Sequence, residues 1–150
     1  VSGITPKQIE AYTQWLRQRG HLPGARLCTE IEWEYASRGA DGRAYPMGEG
    51  LEPSDANYYD TYGDKRKSQG PDEIGSHPNS KSPFGLFDTT GNIFELNVSS
   101  LKEDEFVMRG GSYIYDKITG LLVNRNVVDA EHKDADTGTR ICASIEPPPK

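Results

Sequence analysis

Two stretches near the start of the chain carry apolar residues at helical spacing. Thr5 and Pro6 are typical of a helix start, because threonine caps the first turn and proline suits the first helical position. The apolar positions that follow with a period of 3.6 residues are Ile9, Tyr12, Trp15 and Leu16. The pattern predicts a helix that Gly20 ends, with these side chains in the core.

A second helix is predicted from a capping box. In this motif the side chains of Thr29 and Glu32 each accept a hydrogen bond from the backbone amide of the other residue. Trp33 follows on the apolar face, and Gly39 stops the helix. Trp33 is expected in the core because of the large area that its side chain buries.

The remainder of the chain alternates short apolar runs with turn residues, which is typical of short strands joined by loops. The segment 39–82 is rich in Gly, Pro, Asp and Asn, and only 43–46 is predicted there as a strand, at a sheet edge. Later strands are predicted at 93–96, at 106–109 and, in the core, at 138–145.

The composition agrees with a loop-rich single domain. The 150 residues include 16 glycines and 10 prolines, and only 34% of them are hydrophobic. A chain of this length is enough for one core, and we expect one domain over 1–146 followed by a tail at 147–150. Because the sequence begins with valine, we expect a domain cut from a larger protein.

Charge and hydropathy argue against two classes of partner. The formal net charge of −6 disfavours nucleic acid, whose phosphates attract basic surfaces, and it supports cation binding. No apolar stretch approaches the ~20 residues that are needed to cross a bilayer. Membrane insertion by this domain is therefore not expected.

The segment 83–96 carries the clearest candidate chemistry. Asp88 and Glu95 lie on either side of a Gly-Asn turn, which can aim the backbone carbonyls of Gly91 and Ile93 at both side chains. Two carboxylates and two carbonyls make an all-oxygen ligand set that suits calcium. The alternative is that Asp88 caps the turn and Glu95 pairs with a basic residue.

A second candidate site lies in the loop 55–60. Asn57 and Asp60 are three residues apart beside free carbonyls, and together they could bind a second calcium ion. The alternative is an Asx turn, which is the usual role of asparagine in a loop.

The segment 83–96 resembles the G-L-x-D/N-x-x-G-N-x-W-E-W signature of the formylglycine-generating enzyme (sulfatase-modifying factor) family. It has Phe94 and Leu96 where the family usually has tryptophan. Seven further segments match the family in order along the chain, at 26–36, 38–39, 56–58, 75–78, 109–112, 124–125 and 138–140. The resemblance implies an α+β fold of the C-type-lectin-like type, loop-rich, with two N-terminal helices, a small twisted antiparallel sheet and calcium sites.

The resemblance also bears on the second calcium site. In the family, the asparagine of an Ala-Asn pair binds calcium together with the next carbonyl and a later aspartate. These positions match Asn57 and Tyr58, whereas Asp60, Asp64 and Asp72 are all candidates for the aspartate.

The two cysteines of the chain allow one disulfide bridge. Cys28 and Cys142 each follow or lie in an apolar run, so both are expected to be buried. They match strand or strand-edge positions of the family, which leaves a disulfide and two separate thiols as alternatives. Two cysteines do not identify the compartment, and a cytoplasmic protein is the working expectation.

The catalytic residues of the family are missing. Its oxidase members hold copper and react through two cysteines that follow a Gly-Gly-Ser motif, and the matching positions here are Tyr115 and Gly120. Neither residue forms a thiolate or binds copper(I). The sequence therefore predicts that the domain is not an enzyme.

Binding is the function that this leaves. Some family members are non-catalytic domains attached to bacterial serine/threonine protein kinases, and the segments 27–30, 39–43 and 70–73 resemble that group. The prediction is a calcium-stabilised binding or regulatory module of a larger bacterial protein, with a kinase domain as a partner in the same chain. The alternatives are a variable binding protein of a diversity-generating retroelement and an oxidoreductase with altered chemistry.

The predicted ligand surface lies in the polar and aromatic segment after the Gly-Gly-Ser motif. Loops of this composition often bind ligands, and aromatic and arginine side chains are common anchors. The residues are Tyr113, Tyr115, Asn124, Arg125 and Asn126. The alternative for Asn124 and Arg125, which form a motif throughout the family, is that they brace the loops.

Overall fold

The computed structural model describes residues 1–63 and 70–144. These residues include two helices, six short strands and a 3-10 turn at Pro78–Ser80. The helices are α1 (Pro6–Gln18) and α2 (Glu30–Arg38), and the strands are β1 (Ala25–Leu27), β2 (Phe94–Val98), β3 (Phe106–Arg109), β4 (Asn126–Val128), β5 (Thr137–Thr139) and β6 (Ile141–Ala143). No helix of the described part is long and apolar enough to span a membrane.

The strands form two sheets. The larger has the order β4-β3-β2-β5, and β1 pairs with β6 in a separate antiparallel ladder. The predicted α+β architecture with two N-terminal helices is confirmed, but the sheet is mixed, because β5 runs parallel to β2 while the other ladders are antiparallel. The loop after β4 carries the chain from one edge of the sheet to the other, where β5 pairs with β2. The alternation of apolar and polar residues in the sequence does not show in which direction β5 runs.

Both helices begin as predicted. The side chains of Thr5 and Thr29 cap the two N-termini, and each forms a complete capping box. Gly39 ends α2 with a φ of 72°, a conformation that glycine adopts without strain. Trp33 is buried at 2% exposure, as predicted.

The prediction that Tyr12 and Trp15 lie in the core is wrong. They are 51% and 44% exposed, and their rings stack with centroids 5.8 Å apart. The buried stripe of α1 consists of Pro6, Ile9, Thr13 and Leu16. A polar threonine lies at the centre of this stripe. A prediction that counts only apolar residues therefore places the buried face of α1 too close to Tyr12 and Trp15.

The core contains two apolar clusters. Ile9, Leu27, Leu96 and Phe106 join α1 to β1 and the large sheet. The other cluster packs the loop that follows α2 around Tyr45, Leu51, Ala56 and Tyr58. The predicted edge strand at 43–46 is wrong, because its only ladder contact is an isolated bridge between Tyr45 and Gly48.

The C-terminal segment differs from the single predicted strand. It forms β5 and β6, which belong to different sheets and are separated by Arg140. Residue 145 and the predicted tail at 147–150 lie outside the described residues.

A disulfide joins Cys28 and Cys142, which decides between the two alternatives that the sequence left open. The two Cα atoms are 5.0 Å apart, and the bond spans 114 positions of sequence. It ties the entry of α2 to β6, beside a ladder that pairs only three residues of each strand.

Candidate functional site

The segment 83–96 forms a tight loop that leads into β2. Asp88 and Asn92 have φ values of 59° and 63°, a left-handed conformation that Asp and Asn tolerate better than most residues. Asp88 Oδ2 accepts a hydrogen bond of 2.8 Å from the backbone amide of Gly75. This bond joins the loop to a segment 13 positions earlier, so it is a contact between loops and not the cap of the Gly-Asn turn that the sequence left open for Asp88.

The loop borders a cavity of about 370 Å³. Three of the four predicted ligands of the first calcium site, Asp88, Ile93 and Glu95, line this cavity together with Asp72 and Arg140. We call the group of Asp88, Ile93 and Glu95 the loop site.

Gly91 lies behind the loop site rather than in the cavity. Its amide donates to the carbonyl of Gly110, and a Cβ atom on it would stand 2.4 Å from the carbonyl oxygen of Asn57. Only glycine allows the two loops to approach this closely.

Glu95 is the most constrained residue of the loop site. Its carboxylate is buried and accepts hydrogen bonds of 2.6 Å from Trp33 Nε1 and of 2.6 and 3.1 Å from the Arg140 guanidinium. Burial alone would lower the pKa of Arg140, but Glu95 and then Asp88 raise it, and the net shift is upward. The alternative in which Glu95 pairs with a basic residue is thus observed.

The second predicted calcium site has an oxygen without a partner. Asn57 is 1% exposed; its Nδ2 donates to the carbonyl of Gly70, and its Oδ1 has no hydrogen-bond partner within the described ranges. The carbonyl of Tyr58 already accepts from the amide of Thr61. An orphaned buried acceptor is costly and is best explained by an unseen donor or ion.

Of the three candidate aspartates, Asp72 lies beside this region. Its carboxylate contacts His77 Nε2 at 2.9 Å, and its amide donates to Asn92 Oδ1. Asp60 is exposed, and Asp64 lies outside the described residues. Asp72 and Asn92 thereby connect the loop site to Asn57.

Within the described residues, the oxygen atoms of Asn57 and Asp88 that make no hydrogen bond are of the kind that a hard cation binds. Over 1–63 and 70–144, no three His, Cys, Asp or Glu side chains form a group that could hold a metal ion. At the loop site a cation would depend on Asp88 Oδ1, on the Glu95 carboxylate that Arg140 now holds and on backbone carbonyls. At the second site it would depend on Asn57 Oδ1. Amide, carboxylate and carbonyl oxygens are the ligands that calcium takes.

A groove of about 400 Å³ contains most of the predicted ligand surface. Its lining is Phe94, Met108, Tyr115, Ile118, Thr119, Asn124, Arg125 and Asn126. Four of the five predicted residues are present. Tyr113 is absent from the lining, and its amide donates to the carbonyl of Asn92 on the side of the loop site.

The groove carries little net charge. Arg125 donates to the Glu30 carboxylate at 2.9 and 3.0 Å, and this hydrogen bonding raises the pKa of Arg125. Glu105 lies 3.8 Å from the Arg125 guanidinium as well, so two carboxylates offset its charge and the groove suits a ligand that is neutral, with polar and apolar parts. The asparagines supply the polar contacts, and Tyr115 supplies a half-exposed ring.

A buried arginine shapes one wall of the groove. Arg109 is 1% exposed and donates to the carbonyls of Val123 and Asn124 at 3.2 and 2.9 Å. Its guanidinium also pairs with Glu34 and lies over the Trp33 ring. The bracing that the sequence left open for Asn124 and Arg125 is also observed, because Asn124 Nδ2 donates to the carbonyl of Ile118 at 2.5 Å and Arg125 bonds Glu30.

The sequence interpretation missed the apolar part of the groove. Phe94 and Met108 belong to predicted strands. The alternation of apolar and polar residues along a strand does not show which of its side chains line a surface groove. Ile118 and Thr119 lie in the polar loop that was predicted to bind, and an exposed isoleucine there was the available signal.

The two positions that match the oxidase cysteines adjoin the groove. The Tyr115 ring packs against Phe94, with centroids 5.5 Å apart. Gly120 is crowded: a Cβ atom on it would lie 3.1 Å from Thr90 Cγ2, and one on Gly111 would lie 2.9 Å from the Gly120 amide nitrogen. A side chain at position 120 would need the Thr90 methyl group to shift by a few tenths of an ångström, whereas Gly111 has no room for one.

Comparison with known proteins agrees with the fold and with these motifs. The model of the "Sulfatase-modifying factor enzyme 1-like domain" matches residues 1–145. The inactive C-alpha-formylglycine-generating enzyme 2 of Bos taurus is 35% identical over 123 residues, which are 76% of this chain and 38% of that protein. The serine/threonine-protein kinase pkn1 of Chlamydia pneumoniae is 34% identical over 96 residues, which are 63% of this chain and 13% of the kinase.

A solved structure supports the same fold. PvdO from Pseudomonas aeruginosa superposes with a TM-score of 0.77 at 22% identity, covering 97% of this chain and 62% of PvdO. The chain therefore spans well under half the length of the two sequence relatives and about three-fifths of this structure. The family model, the fold and the ordered motifs agree, and the chain belongs to the sulfatase-modifying factor enzyme 1-like family.

Proposed function

We propose that this chain is a non-catalytic, calcium-stabilised binding module of a larger protein. The observation that carries the proposal is the groove beside Tyr115 and Gly120. Where the oxidases of the family have two reactive cysteines, this chain has a tyrosine ring and a glycine packed against its neighbours. The only two cysteines of the chain form a structural disulfide elsewhere.

The lining of the groove supports binding. Half-exposed Tyr115 and exposed Ile118 provide apolar contact area, and Asn124 and Asn126 provide amides. Sites for small ligands commonly combine an apolar lining with a few placed polar groups. The name of the bovine relative describes it as inactive, which agrees with loss of chemistry on this scaffold.

Calcium is proposed for the loop site and for Asn57. At the loop site Asp88, Glu95 and nearby carbonyls would hold the ion, and at the second site Asn57 Oδ1 would hold it. Bound calcium would supply positive charge that fixes each loop. The module would serve a kinase or a similar regulatory protein, as the similarity to part of a chlamydial kinase suggests. The cytoplasmic location stays a prediction, and the disulfide favours an oxidising compartment instead.

Calcium is expected to raise the melting temperature of the wild-type domain, because a ligand that binds only the native state stabilises it. Asp88→Asn keeps the size of the side chain and tolerates the left-handed conformation, and it is expected to lose most of this response. The measurement is thermal unfolding in calcium and in chelator.

Asp104→Asn is the matched control, since Asp104 also has a positive φ (57°) but lies on a turn away from the site. It is expected to respond as the wild type does. No calcium response in the wild type would overturn the metal proposal. Copper or iron in a metal analysis of the purified protein would instead favour the oxidoreductase alternative.

Small neutral fragments that carry an aromatic or amide group are expected to bind in the groove. In amide NMR spectra the perturbed residues should cluster at 115–126, and Tyr115→Ala should remove the effect because the ring forms one wall. Tyr35→Ala is the control, as Tyr35 is also exposed but pairs with Phe84 elsewhere. Fragments that collect at Tyr35 instead would contradict the proposed groove.

A further inference from the structure

Arg140 bonds the Glu95 carboxylate, which a cation at the loop site would need as a ligand. Its Nη2 lies 2.6 Å from Glu95 Oε1 and 2.8 Å from the carbonyl oxygen of Phe87, and its Nε lies 3.1 Å from Glu95 Oε2. Both oxygens of Glu95 are therefore engaged. Oε2 also accepts the Trp33 indole N–H, so it has no remaining lone pair in the plane.

The position of Arg140 follows from the way the C-terminal segment is split. The residue stands between β5, which pairs with β2 at Glu95 and its neighbours, and β6, which belongs to the other sheet. The backbone on both sides is thus fixed by ladders, and the side chain is only 30% exposed. Arg140 is held beside the loop site by the fold rather than by Glu95 alone.

The Arg140 guanidinium lowers the net negative charge of the loop site. Asp88 and Glu95 contribute two negative charges, and Arg140 reduces their sum to one. Asp72, the third carboxylate on the cavity, is already engaged by Tyr62 and His77. Calcium affinity depends strongly on the number of charged ligands, and a positive group close to the ion adds direct repulsion.

We propose that Arg140 sets the calcium affinity of the loop site by competing with the ion for the Glu95 carboxylate. The inference rests on the proposed calcium site and specifies how that site is tuned. In the absence of calcium, Arg140 takes the place of a cation, bonding both Glu95 and the carbonyl of Phe87 at the start of the loop. The loop therefore keeps its shape in both states, and calcium binds weakly enough to respond to changes in its concentration.

The test is a calcium titration of the wild type and of Arg140→Gln, in which binding is measured by calorimetry and by tryptophan fluorescence. Trp33 reports on the site because its indole bonds Glu95, and Trp15→Phe in both proteins removes the other tryptophan. Glutamine keeps a hydrogen-bond donor and removes the charge. We expect the dissociation constant to fall at least tenfold in Arg140→Gln, with a larger rise in melting temperature on calcium addition.

Two further variants keep the test specific. Arg26→Gln breaks a comparable two-oxygen pair with Glu32 far from the loop site, and it should leave calcium binding unchanged. Arg140→Lys keeps the charge and should bind calcium as weakly as the wild type does. Should Arg140→Gln fold poorly without calcium, it is refolded in excess calcium and titrated by chelation.

The outcomes separate this inference from the calcium proposal itself. Tighter binding in Arg140→Gln alone supports it, as does binding by that variant when the wild type binds none. Equal affinities in the two proteins, or tightening in Arg140→Lys as large as in Arg140→Gln, overturn the role of Arg140 and leave the calcium site standing. An absence of binding in both proteins overturns the two together.

Discussion

Removal of the Cys28–Cys142 disulfide is expected to lower the free energy of unfolding by about 4–5 kcal/mol, the value for a loop of roughly 100 residues. The bond closes a loop of 114 positions and so restricts the unfolded chain strongly. For a chain of this size, a loss of that magnitude corresponds to a fall in melting temperature of about 10–20 °C. Urea unfolding of a Cys28→Ser, Cys142→Ser double variant measures it.

The wild type under reducing conditions is the control. It also lacks the disulfide, and it differs from the double variant only in having two thiols where the variant has two serine hydroxyl groups. Both forms should lose similar stability. A local consequence is also expected, because β1 and β6 pair over only three residues and the bond anchors their end. A loss below about 1 kcal/mol would show that the unfolded chain is already compact near these cysteines.

Glu95→Gln is expected to cost about 3–5 kcal/mol, the usual range for breaking a buried ion pair. The carboxylate accepts bonds from Trp33 and Arg140 and is 8% exposed. In either orientation, a glutamine would turn its NH2 group toward at least one of these donors, and it would leave the Arg140 charge unpaired. Denaturant unfolding in chelator measures the loss without any contribution from calcium.

Glu32→Gln is the matched control for that prediction. Glu32 also holds an arginine through both oxygens, but its side chain is 43% exposed, and the pair with Arg26 is on the surface. Its loss should cost about 1 kcal/mol or less, including the weakened capping box. Equal losses in the two variants would mean that burial does not distinguish the two pairs.

The two large effects bear on function because they act on the same framework. Trp33 bonds Glu95 at the loop site and supports Arg109, whose guanidinium holds the backbone of one groove wall. A variant that weakens this framework is therefore expected to affect both candidate sites. The groove experiment should accordingly be interpreted only for variants whose unfolding free energy has been measured.

Local features of the sequence were sufficient to predict the helix starts. Each depends on residues three positions apart, as in Thr29 and Glu32, and such contacts form wherever the helix forms. The strand at 93–96 was predicted for the same kind of reason, since turn residues precede a short apolar run. The ordered motifs then indicated the family, and Tyr115 and Gly120 led to the prediction that the oxidase chemistry is missing.

Features that depend on distant residues were decided only by the tertiary structure. Trp15 has the right spacing for the core but lies on the flank of α1, because the packing of the sheet selects a stripe centred on Thr13. The parallel direction of β5 depends on the path of the loop that precedes it.

The two candidate sites show the same division. The sequence by itself determined the residue types of the loop site, because Asp88 and Glu95 flank one turn. Only the tertiary structure decided that Glu95 is already paired, since Arg140 comes from 45 positions later, and that Arg125 is neutralised by Glu30 from 95 positions earlier. Spacing along the chain fixes local geometry, whereas the charge that a ligand meets depends on which distant side chains the fold places beside it.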